Sequence, residues 1–453
     1  LSKKESLYGR AVRGGAWTLA AYGADTSTRI VSSLIMTRLL FPEAFGLVTA
    51  AMSLIVGIAL ISDVGIRTVI MRSVHGEDAN FLRFAWTLQV FRGFVLWFAL
   101  VLFCLFLDLN SVRTLLPSES VFASSQFPLI TAALGLALVL AGLESTAVHL
   151  NSRRLNLRPV IFIDVISRII SLPVMIAAAW SLRSVWAIVI GTLLTSAIRL
   201  AMTHLFVPGP RMRAHWEKAH IGEFFHIGKW TSAASAATFI SGQGDRLFIG
   251  LFLSSSVLGL YSVAKLSIEA LSSLFDRLNS SLAVPVLGEV IRKDADLLRA
   301  KYYRFRLPFD LSAPLLAGIV SSAGSTIIGI LYDPRYIDAG YMLQILALGL
   351  VMFPPSLILS AFPLSGNPEV SAIVSAVQAI SLFTFMLIGF GVAGVTGTIY
   401  GIALHRIVPT AVTLVFSYRR GWLDLWKEFR IVPVFGLGWL FGNCLTLVAG
   451  YFF

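Results

Sequence analysis

Apolar runs long enough to cross a bilayer follow one another along almost the whole chain, and this excludes most folds before any motif is read. Spanning about 30 Å of hydrocarbon takes roughly 20 apolar residues in a helix. Six such runs fill the first half, at about 16–37, 44–62, 84–107, 127–149, 160–180 and 184–207. Six more follow at about 228–253, 257–287, 307–331, 340–363, 370–391 and 393–417, and a thirteenth runs from Ile431 to Phe453. Charged residues make up 13% of the chain, against about 25% in a soluble domain, and mean hydropathy is +0.81. The expected fold is an all-α polytopic membrane protein, since helices bond their own backbone where no water is present.

Net charge is +12, which in another setting would point to nucleic acid. Here the basic residues sit in short loops between apolar runs, as the positive-inside rule requires, so no nucleic-acid partner is expected. With the N-terminus inside, twenty-four Lys and Arg fall in cytoplasmic segments and only Arg38, Arg113, Arg183 and Arg335 in the opposite loops. That asymmetry predicts a cytoplasmic N-terminus. The opening LSKKESLYGRAVRGGAW has no apolar core or cleavage site of a signal peptide and reads as a basic cytoplasmic flank. Cys104 and Cys444 lie within apolar runs, with no metal-like spacing.

The chain repeats itself. Trp17-Thr18 and Gly46-Leu47 meet Trp230-Thr231 and Gly259-Leu260 at one constant offset, and EDANFLR (Glu77–Arg83) matches KDADLLR (Lys293–Arg299) at an offset three residues longer. An even number of spans per repeat gives parallel halves related by an axis along the membrane normal. The expected architecture is therefore two six-helix lobes around a central cavity, residues 1–210 and 211–418, with an extra C-terminal helix at 419–453. Pro354-Pro355 is expected to break or kink the tenth span.

Ionisable groups at membrane depth cost about 2.5–3.5 kcal/mol each on insertion scales, and they mark cavities or pair with one another. The spans hold Asp25, Arg29, Arg92, Asp164, Arg168, Arg199, Asp245, Arg246, Lys265, Glu269, Asp276, Arg277, Asp310 and Arg406. Asp25–Arg29, Asp164–Arg168 and Lys265–Glu269 are spaced i,i+4 for pairing along one helix. Thr18, Asp25, Arg29 and Ser32 form a polar stripe on the first helix. Thr231, Ser235, Thr238, Gly242 and Asp245 form its counterpart in the second half. Asp164–Arg168 is expected to be a structural pair, whereas Arg29, Arg246 and Lys265 are expected to face the cavity; Arg92 suits either part.

No Walker A sequence is present, because GIVSSAGS (Gly318–Ser325) lacks the lysine before its serine. Nor does any HExxH, GxSxG or kinase signature occur. The chain reads as a transporter and not an enzyme, with no cofactor and no metal.

RLLFPEAFGL (Arg38–Leu47), SDVGI (Ser62–Ile66), DRLFIG (Asp245–Gly250), LGLYSVA (Leu258–Ala264), LQILALG (Leu343–Gly349) and SGNP (Ser365–Pro368) occur in this order. In them the chain resembles the bacterial polysaccharide biosynthesis proteins. These are lipid-linked oligosaccharide flippases of the multidrug/oligosaccharidyl-lipid/polysaccharide exporter superfamily. The resemblance implies a bacterial inner-membrane protein that moves an undecaprenyl-pyrophosphate-linked repeat unit to the periplasmic leaflet by alternating access. Such a protein would serve exopolysaccharide or lipopolysaccharide synthesis, coupled to H+ or Na+ and partnered with a polymerase or assembly proteins. It also implies a fourteenth helix beyond the thirteen. No family signature assigns residues, so charge does. Arginine offers permanently charged, bidentate recognition of pyrophosphate. Arg29 and Arg246 come first for that part, then Lys265 and Arg92, while Asp25, Asp245, Glu269 and Asp276 are candidates for ion coupling. A cation-coupled multidrug antiporter of the same superfamily and a non-transporting scaffold of envelope assembly are the alternative functions.

Overall fold

The computed structural model describes residue 23 and residues 26–280, 284–293 and 298–452. Regular structure among them is helical throughout. The principal helices are α1 (26–39), α2 (Pro42–Ile61), α3 (Ile66–Arg72), α4 (Ala79–Asp108), α5 (Phe127–Leu143), α6 (Ala147–Arg153), α7 (Arg158–Leu182) and α8 (Trp186–Phe206). They continue with α9 (Ile221–Phe252), α10 (Ser255–Leu278), α11 (Val284–Lys293), α12 (Leu298–Leu331), α13 (Ile337–Ala347), α14 (Pro368–Leu404), α15 (Ile407–Arg419) and α16 (Ile431–Phe452). Proline opens several of them within the first turn (α2, α5, α7 and α14), where a missing N–H costs nothing.

Among the described residues nine helical runs are long and apolar enough to cross a membrane, or ten if the bent pair α5–α6 is one span. The thirteen expected spans differ from this for three local reasons. The first extends into residues outside those described. Although α9 is 32 residues long, it carries Glu223, Lys229, Asp245 and Arg246 and is too polar to pass. The two spans expected at 370–391 and 393–417 fall in one helical run, interrupted at Ala393-Gly394. The apolar outer faces of the spans, such as Phe91, Phe98 and Leu105 on α4, are exposed and suited to lipid.

Packing divides the chain into two compact units. One holds the described residues up to Phe239 together with Arg246–Leu258; the other holds Ile240–Asp245 and everything from Gly259 onward. In the first unit, α4 and α5 approach closely at Gly93 and Gly142, where a Cβ on Gly93 would stand 2.8 Å from the Leu138 carbonyl. In the second, α16 lies along α12 with Gly438 against the Leu315 backbone and Gly442 against Ile319, a small-residue seam of the kind that holds helices together in lipid. The core around α12 is aromatic, with Phe275 and Phe353 at 5.4 Å between ring centroids.

The breaks have causes. Pro354-Pro355 cannot donate two helical hydrogen bonds, and the run leaves α-helical form for a 3-10 stretch over Leu348–Met352. At Gly394 the backbone takes φ 57° and ψ −129°, a conformation open in practice to glycine alone. The chain turns back there, so that Gly389 and Gly397 pack backbone to backbone. Outside the spans, Arg154 Nη2 donates to Glu77 Oε2 at 2.6 Å, and this bond holds the Glu77 carboxyl below its ordinary range. The clip is therefore in place at neutral pH and is lost as pH falls through that lowered value. Glu77 opens the first copy of the repeated loop motif; the second copy runs into residues outside those described.

Gly397→Leu would overlap the Gly389 carbonyl, and Gly394→Ala would put a Cβ on a backbone that costs it about 1–3 kcal/mol. Both variants are expected to lower the thermal midpoint of the detergent-solubilised protein, Gly397→Leu by more. Unchanged melting would contradict the hairpin.

Candidate functional site

Charged side chains inside the spans gather at a few places, each built by a particular pair of helices. In the first unit Arg92, on α4, reaches the last turn of α2. Its Nε donates to Ser62 O at 2.9 Å, and its Nη2 donates to Ala59 O and to Ser62 Oγ, the latter at 3.2 Å. Helix ends leave carbonyls without partners, and Arg92 fills that need for α2. The next residue, Asp63, accepts from Gly65 N at 2.9 Å and sets up a left-handed turn at Gly65, φ 68°. On this SDVGI turn sits the first part of α9. Ser232 Oγ donates to Asp63 O at 2.7 Å, Ser235 Oγ lies 3.4 Å from Asp63 Oδ2, and Gly228 abuts the Val64 backbone. Part of the polar stripe on α9 is thus engaged in docking that helix.

The bent pair α5–α6 turns by 60° and releases carbonyls at the break. Gln89 Nε2 donates to Ala141 O at 2.9 Å and Gly142 O at 3.1 Å, and Trp86 Nε1 donates to Leu143 O at 3.1 Å. Such satisfaction is what permits irregular backbone at membrane depth. On the same break Glu144 meets Arg199 of α8 at 3.2 Å, and Arg199 also lies 3.4 Å from Asp164. Asp164, expected to pair along its own helix with Arg168, thus has an ion pair with a neighbouring helix. Arg29 is exposed on α1, whose Ser27, Thr28 and Val31 border an apolar groove of about 710 Å³ against Pro173 and Trp180 of α7. Arg246 is half-buried on α9. Asp25 lies outside the described residues.

In the second unit, Asp245 of α9 is 2% exposed. Its Oδ2 accepts from Lys265 Nζ at 2.7 Å and from the hydroxyl of Tyr261, both on α10. Tyr261 and Lys265 are one turn apart, so a single helix face delivers both donors to one carboxylate oxygen. Glu269 continues that face, half-buried, and Asp276 is exposed farther along α10. A second charged cluster lies on α12. Arg306 is 0% exposed, its Nε donating to Asp310 Oδ1 at 2.7 Å and its Nη1 to both oxygens of Glu428 at 2.6 and 2.7 Å. Tyr303 adds a hydroxyl to Glu428 at 2.6 Å and stacks under the guanidinium, 5.6 Å from ring centroid to Cζ. This locks the 425–428 turn, which leads into α16, onto α12.

Lys265 and Asp245, named separately from the sequence as anion and ion-coupling candidates, are direct partners. Arg29 and Arg92 stand on different helices of the first unit. Four further residues had no part in the expected site: Glu144, Arg199 as a bridge, Arg306 and Tyr261. Glu144 could have been found as the one carboxylate in the run 127–149, and Arg306 from its i,i+4 spacing to Asp310.

The profile of the polysaccharide biosynthesis protein family matches residues 35–340, well over half of the chain. The chain belongs to that family. Among curated relatives of this polysaccharide biosynthesis protein is the lipopolysaccharide biosynthesis protein WzxC of Escherichia coli (strain K12), 21% identical over 442 residues, which cover 94% of this chain and 86% of WzxC. Among solved structures the fold is similar to a lipid II flippase MurJ in an inward closed conformation, with TM-score 0.65, 13% identity and coverage of 96% of this chain and 98% of MurJ. It is also similar to an inward-facing multidrug resistance MATE family transporter of the MOP superfamily, with TM-score 0.60, 14% identity and coverage of 90% and 95%. The family member is thus an all-helical, multi-pass protein of the bacterial inner membrane with the fold of that exporter superfamily.

Arg306→Met would leave Glu428 and Asp310 without their buried cation, at a cost of about 3–5 kcal/mol. A large fall in thermal midpoint is expected, with most of it recovered when Glu428→Gln and Asp310→Asn are added. A single variant that melts like the parent would show the network to be dispensable.

Proposed function

We propose that this polysaccharide biosynthesis protein translocates an undecaprenyl-pyrophosphate-linked oligosaccharide repeat unit from the cytoplasmic to the periplasmic leaflet, by alternating access. The family match over residues 35–340 carries the reading. The charged groups at membrane depth support it, because cations there favour an anionic headgroup. The protein acts as a transporter and not as an enzyme, and its N-terminus is cytoplasmic. Residues 1–210 and 211–418 supply two six-span halves, and 419–453 the added helix.

Arg29, Arg246 and Lys265 bind the pyrophosphate. Arg92 adds its charge while its donors hold the end of α2. Asp25, Asp245, Glu269 and Asp276 take part in coupling to H+ or Na+, and a polymerase or assembly protein receives the product. A cation-coupled multidrug antiporter is the second reading, since one structural neighbour is a MATE transporter. Drug cations, however, favour acidic cavities, and cations match or outnumber acids in these spans.

Deleting the gene is expected to abolish export of its polysaccharide and to leave lipid-linked repeat units on the cytoplasmic side. Arg29→Ala and Arg246→Ala should each lower export in the complemented strain, and the double variant should lower it at least about tenfold, a loss of some 1.4 kcal/mol in binding. Full export by the double variant would sink the assignment of these arginines. Resistance to cationic dyes with normal polysaccharide would favour the antiporter instead.

A further inference from the structure

The two charged clusters of the second unit are built in opposite ways. Arg306 is closed off completely, its Nε held by Asp310, its Nη1 by both oxygens of Glu428, and its guanidinium set over the Tyr303 ring. Lys265 is held only through its ammonium, which pairs with Asp245 and lies over the Tyr261 ring, 5.8 Å from Nζ to the ring centroid. Its ammonium bonds Asp245 at 2.7 Å, its side chain is 19% exposed, and the Asp245 side chain is only 3% exposed. The cation therefore has an open side and the carboxylate does not. An anion can approach Lys265 without reaching Asp245.

The carboxylate is also provided for when the ammonium departs. Tyr261, 0% exposed, donates its hydroxyl to the same Oδ2 that accepts from Lys265. Removing one partner of a buried pair is costly when it strands the other charge, and a second donor on that oxygen lowers the cost. His405 sits buried at the break between α14 and α15, its Nδ1 2.7 Å from Ile402 O. A lysine suits exchange better than an arginine here. Its ammonium is a point charge on a flexible four-carbon stem and needs no particular acceptor geometry.

We propose that Lys265 is an exchangeable anchor, stored on Asp245 and transferred to the diphosphate of the lipid-linked substrate, with Asp245 reclaiming it to release the anion. This rests on the substrate reading above and assigns Asp245 a task distinct from ion binding, that of the competitor that makes anion binding reversible. A diphosphate carries more than one negative charge, so at equal distance it outcompetes a single carboxylate. Asp245 is then a positioning and release residue, and Lys265 a contact residue.

The test uses the purified full chain in detergent, titrated with farnesyl diphosphate as a soluble polyprenyl diphosphate and with farnesol as the uncharged control. Asp245→Asn keeps the shape and the Tyr261 hydrogen bond but removes the competitor. It is expected to bind farnesyl diphosphate about tenfold more tightly than the parent, yet to slow polysaccharide export in cells because release fails. Lys265→Met is expected to bind about tenfold more weakly. Size-exclusion profiles check that both variants fold, and Lys265→Arg, which retains the charge, should restore binding. If Asp245→Asn binds no more tightly than the parent, or Lys265→Met binds as the parent does, the exchange is overturned while the substrate reading stands. So too if the paired neutral variant Lys265→Met/Asp245→Asn exports normally, for the pair is then a static brace. If the parent itself shows no preference for farnesyl diphosphate over farnesol, the substrate reading fails and the exchange fails with it.

Discussion

A polar group inside a bilayer has no water to turn to, so every charge and every freed carbonyl in these spans must be met by another part of the protein. Most of the architecture follows from that demand. Where α2 ends, Arg92 closes its last turn. Where α5 and α6 bend apart, Gln89 and Trp86 supply the donors. Where the 425–428 turn leads into α16, Arg306, Asp310, Glu428 and Tyr303 form a buried network against α12. The apolar residues set how many helices there are, while glycine seams and polar contacts together set which helices touch.

The same demand separates fixed charges from those that can change partner. A guanidinium with a two-toothed carboxylate and a stacked aromatic ring is bound from several sides, as at Arg306. An ammonium paired with one carboxylate oxygen and set over one tyrosine ring, with its other side open, is bound less completely, as at Lys265. Both arrangements neutralise charge in the apolar interior. Only the second leaves a cation within reach of a substrate, and under the proposed function, in which an anion is bound and then released, that difference matters more than the number of charges present.

Much of the fold was legible because hydropathy reports burial in lipid directly. The helices on 42–61, 158–182 and 186–206 stand within a few residues of the expected spans. What escaped were features that depend on neighbours. The i,i+4 rule finds partners along one helix, so it joined Asp164 to Arg168 and could not see Arg199 on α8. It offered Glu269 to Lys265, whereas the bond goes to Asp245 across the helix pair. Arg306 read as a loop cation because the apolar run begins near 307; the helix itself begins at Leu298 and carries Arg306 into the core. The SDVGI motif was legible as a family mark but not as a dock for α9, which needs the left-handed Gly65 and the approach of Gly228. Asp25, central to the sequence reading, lies outside the described residues.

The central claim is that this polysaccharide biosynthesis protein moves a pyrophosphate-linked lipid from one leaflet to the other. Its most direct test is reconstitution of the purified chain into liposomes holding a short lipid-linked oligosaccharide, with a probe that cleaves or labels only the outer-leaflet headgroups. The account predicts that protein-containing vesicles expose the inner-leaflet pool to the probe, and that protein-free vesicles protect about half of it, the share of one leaflet. It also predicts that the neutral polyprenol analogue does not compete. Protection that is identical with and without the protein, across an imposed gradient of H+ or Na+ in either direction, would contradict it.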